Sequence, residues 1–313
     1  MKNFKNRYLS LIDCEEQAEL APSVAGLNSI MESHLYHIHF NGFSFLTMNS
    51  NNVNLDPYIF LENTLRDNQG GICFELNCAL NELLKKLGYT THLVETMMDH
   101  IKDRSVPQYD IATHNAIIVE LEGENYLVDV GLGNYFRKPI SFSREHQDAS
   151  GRYKIIQYDV SKKIFQLKRL NTKSNQWVSQ YRFSCINKKP NDFRANIEKV
   201  CDKSCHLTKD FFMIKPYSAN SYKVIDGGRE IGLTWIHSTP EKNEKIKMDA
   251  NLARQKLTEE FQMKAEQIEI ILSECKVPES SQKGQIRDAL NSLKDIFRKV
   301  SMSLKNIYTI TWR

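Results

Sequence analysis

The sequence predicts a mixed α+β protein built from three successive regions. Residues 1–90 have a mostly helical pattern and end in a helix whose leucines recur at helical spacing. Residues 91–190 contain β-rich runs separated by short polar turns. Residues 191–313 begin with further strands and become highly charged and helical from about residue 240. We therefore expect three domains with these boundaries.

The last helix of the first region is the best defined. Gly88 is a natural C-terminal stop for this helix. Its apolar face consists of leucines at helical spacing: Leu76, Leu80, Leu83, Leu84 and Leu87. Gly70 and Gly71 come just before the helix, can adopt positive φ, and leave room for a substrate carbonyl near the sulfur of Cys73. Cys73 lies in the first turn, where unpaired backbone N–H groups stabilise a thiolate, the reactive form of cysteine. Cys73 is therefore the predicted nucleophile, and its own N–H can stabilise an oxyanion.

A β-hairpin is predicted on either side of Glu122-Gly123. If these two residues form the whole turn, the side chains of His114 and Asp129 are diagonal neighbours on one face. A loop one residue longer would put them on opposite faces. A carboxylate on one imidazole nitrogen fixes the ring and leaves the other nitrogen for a thiol. We therefore predict a triad in which Cys73 attacks, His114 acts as general base and then acid, and Asp129 orients His114.

The remaining elements are predicted from shorter patterns. Residues 155–158 and 177–183 are further strands of the second region, and residues 226–229, Asp-Gly-Gly-Arg, predict a turn. Apolar positions over residues 257–268 predict one amphipathic helix. A second amphipathic helix is expected over about residues 285–304, packed on its own domain rather than on a partner.

Composition narrows the class of protein. The 313 residues are 41% hydrophobic and 26% charged, which is typical of a globular enzyme, and the net charge of +4 is too small for a nucleic-acid-binding signature. Seven cysteines without framework spacing indicate a reducing compartment. The N-terminus lacks the apolar core of a signal peptide, and no apolar run approaches the length of a membrane span. These features predict a cytoplasmic protein with no nucleic-acid and no membrane partner.

Two patterns suggest a metal site only weakly. His37 and His39 are spaced to chelate, but no cysteine or carboxylate cluster accompanies them. Cys201, Cys205 and His206 lack a second pair of ligands. We therefore expect no metal.

The nucleophile segment resembles that of the arylamine N-acetyltransferases. That family carries Arg-Gly-Gly-X-Cys-X-Glu, and this chain has Gln-Gly-Gly-Ile-Cys-Phe-Glu over residues 69–75. The family's histidine opens an apolar strand, as His114 does, and its Val-Asp-Val/Ala-Gly-Phe-Gly segment matches residues 128–133. Matching segments run from about residue 8 to about residue 263. The resemblance implies an N-terminal helical bundle, a central β-barrel and a C-terminal α/β lid, with a cysteine-protease-like Cys-His-Asp arrangement.

The resemblance also implies an activity. It would be acyl transfer from an acyl-coenzyme A, usually acetyl-CoA, to an aromatic amine or hydrazine, through a thioester on Cys73 and by a ping-pong route. Phe45 and Phe74 are expected to contact the substrate. The sequence departs from the family at Gln69, which replaces a permanently charged arginine, and over residues 42–48, near the expected acceptor pocket.

Two other kinds of function remain open from the sequence alone. A Cys–His–Asp amidase or transglutaminase-like hydrolase would share the triad, and dependence on coenzyme A would separate it from an acyltransferase. A catalytically weakened binding homologue is suggested by Gln69 and residues 42–48. Alkylation of the Cys73 thiol at neutral pH would distinguish an active enzyme from such a homologue.

Overall fold

The structure is a computed structural model that describes residues 4–99 and 112–279. Its helices are α1 Phe4–Leu11, α2 Val24–His37, α3 Phe43–Leu46, α4 Pro57–Asp67, α5 Cys73–Lys86, α6 Arg194–Val200, α7 Ala250–Phe261 and α8 Ala265–Glu274. Its strands are β1 Phe40–Asn41, β2 Thr90–Met98, β3 His114–Leu121, β4 Glu124–Val128, β5 Ile140–Ser141, β6 His146–Asp148, β7 Gly151–Asp159, β8 Ile164–Asn171, β9 Gln176–Ser184, β10 Asp210–Ser218, β11 Ser221–Gly228, β12 Gly232–Ser238 and β13 Asn243–Lys247.

Helices α1 to α5 form the N-terminal bundle. Local sequence sets their ends: the Asp56 side chain accepts a hydrogen bond from the Tyr58 N–H (2.8 Å) at the start of α4, and Asn68 ends that helix in a left-handed conformation. Helix α5 packs at the centre of the bundle and is buried along most of its length. The bundle therefore holds the predicted nucleophile helix inside the core.

The second part is an antiparallel sheet with the strand order β5-β4-β3-β2-β9-β8-β7-β6. Edge strand β5 lies against β7, so the sheet curls into a nearly closed barrel. The core is filled by inward-facing side chains, which include the fully buried rings of Tyr153, Tyr181 and Phe183.

The third part combines a five-stranded sheet, in the order β1-β10-β11-β12-β13, with helices α7 and α8. Strand β1 comes from the N-terminal region and pairs with β10, so this sheet is tied to the helical bundle. A second core lies between the sheet and the helices and contains Phe211, Trp235 and Phe261. The predicted fold of helical bundle, barrel and α/β unit is confirmed, whereas the exact domain boundaries stay a prediction.

Two local predictions are wrong. Gly227 and Gly228 do not form the turn; they are the last residues of β11. Glycine is required there by close neighbours rather than by a turn, because a Cβ on Gly227 would lie 2.1 Å from the Gly232 carbonyl oxygen and a Cβ on Gly228 would lie 2.6 Å from the Lys209 carbonyl oxygen. The turn follows them. The single helix expected over residues 257–268 is two helices, because Gln262 adopts a left-handed conformation (φ 54°) that ends α7. The helix expected over residues 285–304 lies outside the described residues.

Within residues 4–99 and 112–279, no helix combines the length and the apolar character needed to cross a bilayer.

Candidate active site

Cys73 is the first residue of α5, as predicted. Glu75 caps this helix start, since its carboxylate accepts the Ile72 N–H at 3.0 Å. The leucine face of α5 is buried, and Gly88 follows the helix with φ of 88°. The Cys73 side chain is only 3% exposed, and its backbone N–H belongs to the helix-start donors that have no partner inside the helix.

The hairpin has the register that brings His114 and Asp129 together. Leu121 pairs with Glu124, and Glu122 and Gly123 form the two-residue turn with φ of 54° and 78°. The His114 Nε2 lies 2.7 Å from the Asp129 Oδ2. The predicted hairpin and His–Asp contact are therefore confirmed.

The His114 imidazole also interacts with Cys73. With Nε2 bound to Asp129, Nδ1 is the ring nitrogen left for the thiol, and His114 forms a hydrogen bond with Cys73. Burial alone would lower the pKa of His114, but the charges of Asp129 and Cys73 outweigh it and hold the pKa well above its ordinary value. The imidazole therefore stays protonated at neutral pH, beside the sulfur.

Asp129 accepts four hydrogen bonds. Its Oδ2 accepts hydrogen bonds from His114 Nε2 and from the Tyr181 hydroxyl (3.0 Å). Its Oδ1 accepts hydrogen bonds from the Asn77 side-chain amide (3.1 Å) and from the Gly131 N–H (2.9 Å). Asn77 lies one turn after Cys73 on α5 and also accepts the Val130 N–H (3.0 Å). The carboxylate is therefore fixed both by helix α5 and by the barrel.

Asn77 and Tyr181 are positioning residues that were not predicted from the sequence. A signal for Asn77 exists, because it lies four positions after Cys73, and side chains at that spacing are neighbours on one face of a helix. Tyr181 lies 52 residues after Asp129, on β9, and no local pattern connects the two.

Gly131 allows the loop after β4 to touch Cys73. A Cβ on Gly131 would lie 2.6 Å from the Cys73 Cβ and 2.9 Å from the Asn77 Nδ2. Only glycine permits this approach, so the distance between the two halves of the site depends on this residue.

Strand β1 braces the turn that precedes Cys73. The Asn41 side-chain amide donates to the Gln69 carbonyl oxygen (2.8 Å), and the Asn41 N–H donates to the Gly71 carbonyl oxygen (2.9 Å). The Gly71 N–H in turn donates to the His39 carbonyl oxygen (3.3 Å). These contacts hold the turn without the arginine that the family motif has at position 69.

The two residues expected to contact substrate are both buried. Phe74 is fully buried against Phe193, with ring centroids 5.6 Å apart, and Phe45 is 2% exposed beside Phe40. Their contact with a substrate stays a prediction.

The histidines of the weak metal motif have separate surroundings. His37 contacts the Ser33 carbonyl oxygen and the Asp13 carboxylate, whereas His39 is buried edge-on against Phe261. Among the described residues, neither Cys201 nor Cys205 forms a disulfide. Across the residues that the structure describes, no group of three or more candidate ligands could hold a metal ion.

Alkylation should distinguish Cys73 from the other cysteines. We expect one equivalent of iodoacetamide to modify Cys73 first, because a protonated His114 favours its thiolate. Burial raises the pKa of five others: Cys14, Cys78, Cys185, Cys201 and Cys275. Peptide mapping by mass spectrometry identifies the labelled cysteine, and His114→Ala should slow the labelling of Cys73. Preferential labelling of Cys14 or Cys201 would contradict the assignment.

The site has the arrangement that is typical of cysteine-nucleophile enzymes: a thiol at a helix start, an imidazole beside the thiol and a carboxylate bound to the imidazole. The family described as N-acetyltransferase matches residues 23–269. The chain therefore belongs to the arylamine N-acetyltransferase family, a family of acetyltransferase enzymes.

Individual relatives agree with this assignment. An arylamine N-acetyltransferase / N-hydroxyarylamine O-acetyltransferase of Salmonella typhimurium is 27% identical over 188 residues, covering 58% of this chain and 62% of the relative. An uncharacterised acetyltransferase of Acanthamoeba polyphaga mimivirus is 35% identical over 118 residues, covering 38% of this chain and 55% of the relative. The chain spans about half the length of the curated relatives that it matches.

Solved structures share the fold. The Mycobacterium marinum arylamine N-acetyltransferase in complex with CoA has a TM-score of 0.71 at 20% identity, over 87% of this chain and 99% of that chain. An arylamine N-acetyltransferase from Bacillus cereus, reported with a Cys-His-Glu triad, has a TM-score of 0.70 at 20% identity, over 84% of this chain and 99% of that chain.

Proposed function

We propose that this protein transfers an acetyl group from acetyl-CoA to an aromatic amine or hydrazine through a thioester on Cys73. The observation that carries the proposal is the His114 imidazole, which contacts Cys73 and lies 2.7 Å from Asp129 in a member of this family. The coenzyme A complex of the Mycobacterium marinum relative supports an acyl-CoA donor. The names of the relatives support an aromatic amine as acceptor.

The first half-reaction loads the enzyme. The Cys73 thiolate attacks the thioester carbonyl carbon of acetyl-CoA, and the Cys73 N–H stabilises the oxyanion. The carbon–sulfur bond to coenzyme A breaks, and the departing thiolate takes the proton of the His114 imidazolium. Free coenzyme A, an acetyl-Cys73 thioester and a neutral His114 result.

The second half-reaction transfers the acetyl group from Cys73 to the amine. The amine attacks the thioester carbonyl, and His114 Nδ1 takes the proton that the amine loses. The carbon–sulfur bond to Cys73 breaks, which regenerates the thiolate beside an imidazolium. Asp129 keeps Nε2 protonated throughout, so Nδ1 always faces the reacting atoms.

We extend the proposal to a cytoplasmic location. None of the described cysteines forms a disulfide, which supports a reducing compartment.

Intact-mass spectrometry tests the proposed route. Acetyl-CoA alone should add one acetyl group, Cys73→Ser should remain unmodified, and an arylamine or hydrazine should discharge the acetyl-enzyme. Cys185→Ser is a matched control, since this thiol is only half-buried and lies outside the triad, and it should be acetylated like the wild type. If product forms only with both substrates present and no acetyl-enzyme accumulates, the thioester route is wrong. Hydrolysis of an amide without coenzyme A would favour a hydrolase.

A further inference from the structure

A cavity of about 210 Å³ lies beside the turn that precedes the nucleophile helix. Its lining is polar, and none of the three triad side chains belongs to it. The polar side chains of the lining are those of Asn41, Ser44, Asn52, Gln69, Glu75 and Gln267. At about 30 Å³ per water molecule, the cavity is large enough for a small organic ion together with several waters.

Glu75 is the charged residue that lines this cavity, and it is 7% exposed. Its Oε1 accepts the Asn54 N–H at 2.9 Å and its Oε2 accepts the Ile72 N–H at 3.0 Å. Each carboxylate oxygen can accept a second hydrogen bond. A buried carboxylate held only by neutral donors is costly, and a cation with N–H donors would offset that cost.

The cationic side chain whose charge acts on Glu75 donates hydrogen bonds elsewhere. The charge of Arg194 acts on Glu75, but its guanidinium donates to the carbonyl oxygens of Ser50 (3.4 Å) and Val53 (3.2 Å). Burial therefore dominates and raises the pKa of Glu75 to about 7.

Three polar groups around the cavity have no partner in the described parts of the chain. They are the hydroxyl of Ser44 and the side-chain amides of Gln69 and Gln267. Hydroxyl and amide oxygens accept hydrogen bonds, as the Glu75 carboxylate does. The cavity thus presents several acceptors around one negative charge.

We propose that this cavity is a binding site for a small planar cation of the guanidinium class, held by the Glu75 carboxylate and the oxygens of Ser44, Gln69 and Gln267. A guanidinium group has N–H donors fixed in one plane and matches a carboxylate with two parallel hydrogen bonds. The bound cation would join Glu75, which caps α5, to the Gln69 turn and brace both.

Direct binding is the primary test. Equilibrium dialysis of the full chain with radiolabelled guanidinium chloride should show one saturable site, with a dissociation constant on the order of 1–10 mM. The thermal midpoint should rise by a few degrees at saturation. Urea has the same shape as guanidinium without the charge, and it should neither occupy a saturable site nor raise the thermal midpoint. Potassium chloride at equal ionic strength should not raise the thermal midpoint either. Equal binding of urea, an equal rise with potassium chloride, or no saturable site in the wild type would overturn the proposal.

Two variants and a control locate the site. Glu75→Gln removes the charge, and Gln69→Arg places a tethered guanidinium in the same cavity, so both should lose the radiolabelled site. Glu62→Gln, on an exposed carboxylate that pairs with Arg7 instead, should keep it. Undiminished binding by Gln69→Arg would overturn the assignment even if Glu75→Gln fails to fold.

An effect on catalysis is also expected, and this part rests on the proposed function. Guanidinium should raise the single-turnover rate of Cys73 acylation in the wild type, and Gln69→Arg should show the raised rate without it. If acetyl-CoA never acylates Cys73, the proposed function fails while the binding result stands. If acylation occurs at the same rate with and without bound guanidinium, the bracing role is wrong.

Discussion

Asp129→Asn is expected to lower the single-turnover rate of Cys73 acylation by on the order of 10³–10⁴-fold. Asp129 accepts two hydrogen bonds on each oxygen, and an asparagine has only one oxygen. The Gly131 N–H and the Asn77 amide are fixed donors, so the asparagine oxygen stays on their side. Its NH₂ group then faces His114, whose Nε2 must become the acceptor. The proton moves to Nδ1, and the nitrogen that faces the thiol can no longer act as a base.

A second, half-buried His–Asp pair gives the matched control. Asp148 lies 3.0 Å from His146 Nε2 and also accepts hydrogen bonds from Ser150 and from the Arg137 N–H. Asp148→Asn should lower the thermal midpoint but leave the acylation rate of folded protein within about twofold of wild type, because this pair lies outside the triad. Equal losses of acylation in the two variants would mean that Asp129 acts only through stability.

Gly131→Ala is expected to reduce acylation by about a hundredfold, because a misplacement of about 1 Å can cost that much. The added methyl carbon would lie 2.6 Å from the Cys73 Cβ and 2.7 Å from its Cα, so either α5 or the loop after β4 must move. Overpacking of this kind costs about 1–3 kcal/mol. The thermal midpoint should therefore fall by several degrees as well. Single-turnover acylation and thermal unfolding measure the two effects separately.

Gly26→Ala controls for adding a methyl group to a crowded glycine. Gly26 lies on α2, and its added carbon would meet the side-chain ends of Gln17 and Tyr89, which can move more easily than backbone. Its acylation rate should stay near that of the wild type. If Gly131→Ala also acylates within twofold of the wild type, the contact between Gly131 and Cys73 does not set the geometry of the site.

The sequence alone determined the elements that carry the triad. The leucine spacing and Gly88 define α5 and place Cys73 at its start, and the Glu122-Gly123 turn fixes the register that brings His114 to Asp129. Both depend on residues close in the chain, where helical and strand periodicities are strong. The same local signals failed at Gly227-Gly228 and at Gln262, where packing and a left-handed residue decided the backbone.

Only the tertiary structure decided how the parts of the site meet. The hydrogen bonds from Asn77 and Tyr181 to Asp129 each span 52 residues, and the approach of Gly131 to Cys73 joins the barrel to the bundle. The cavity beside Glu75 likewise collects side chains from distant segments, including Gln267. Such contacts leave no periodic trace in a single sequence, because they depend on how separate elements pack against each other rather than on the conformation of any one of them.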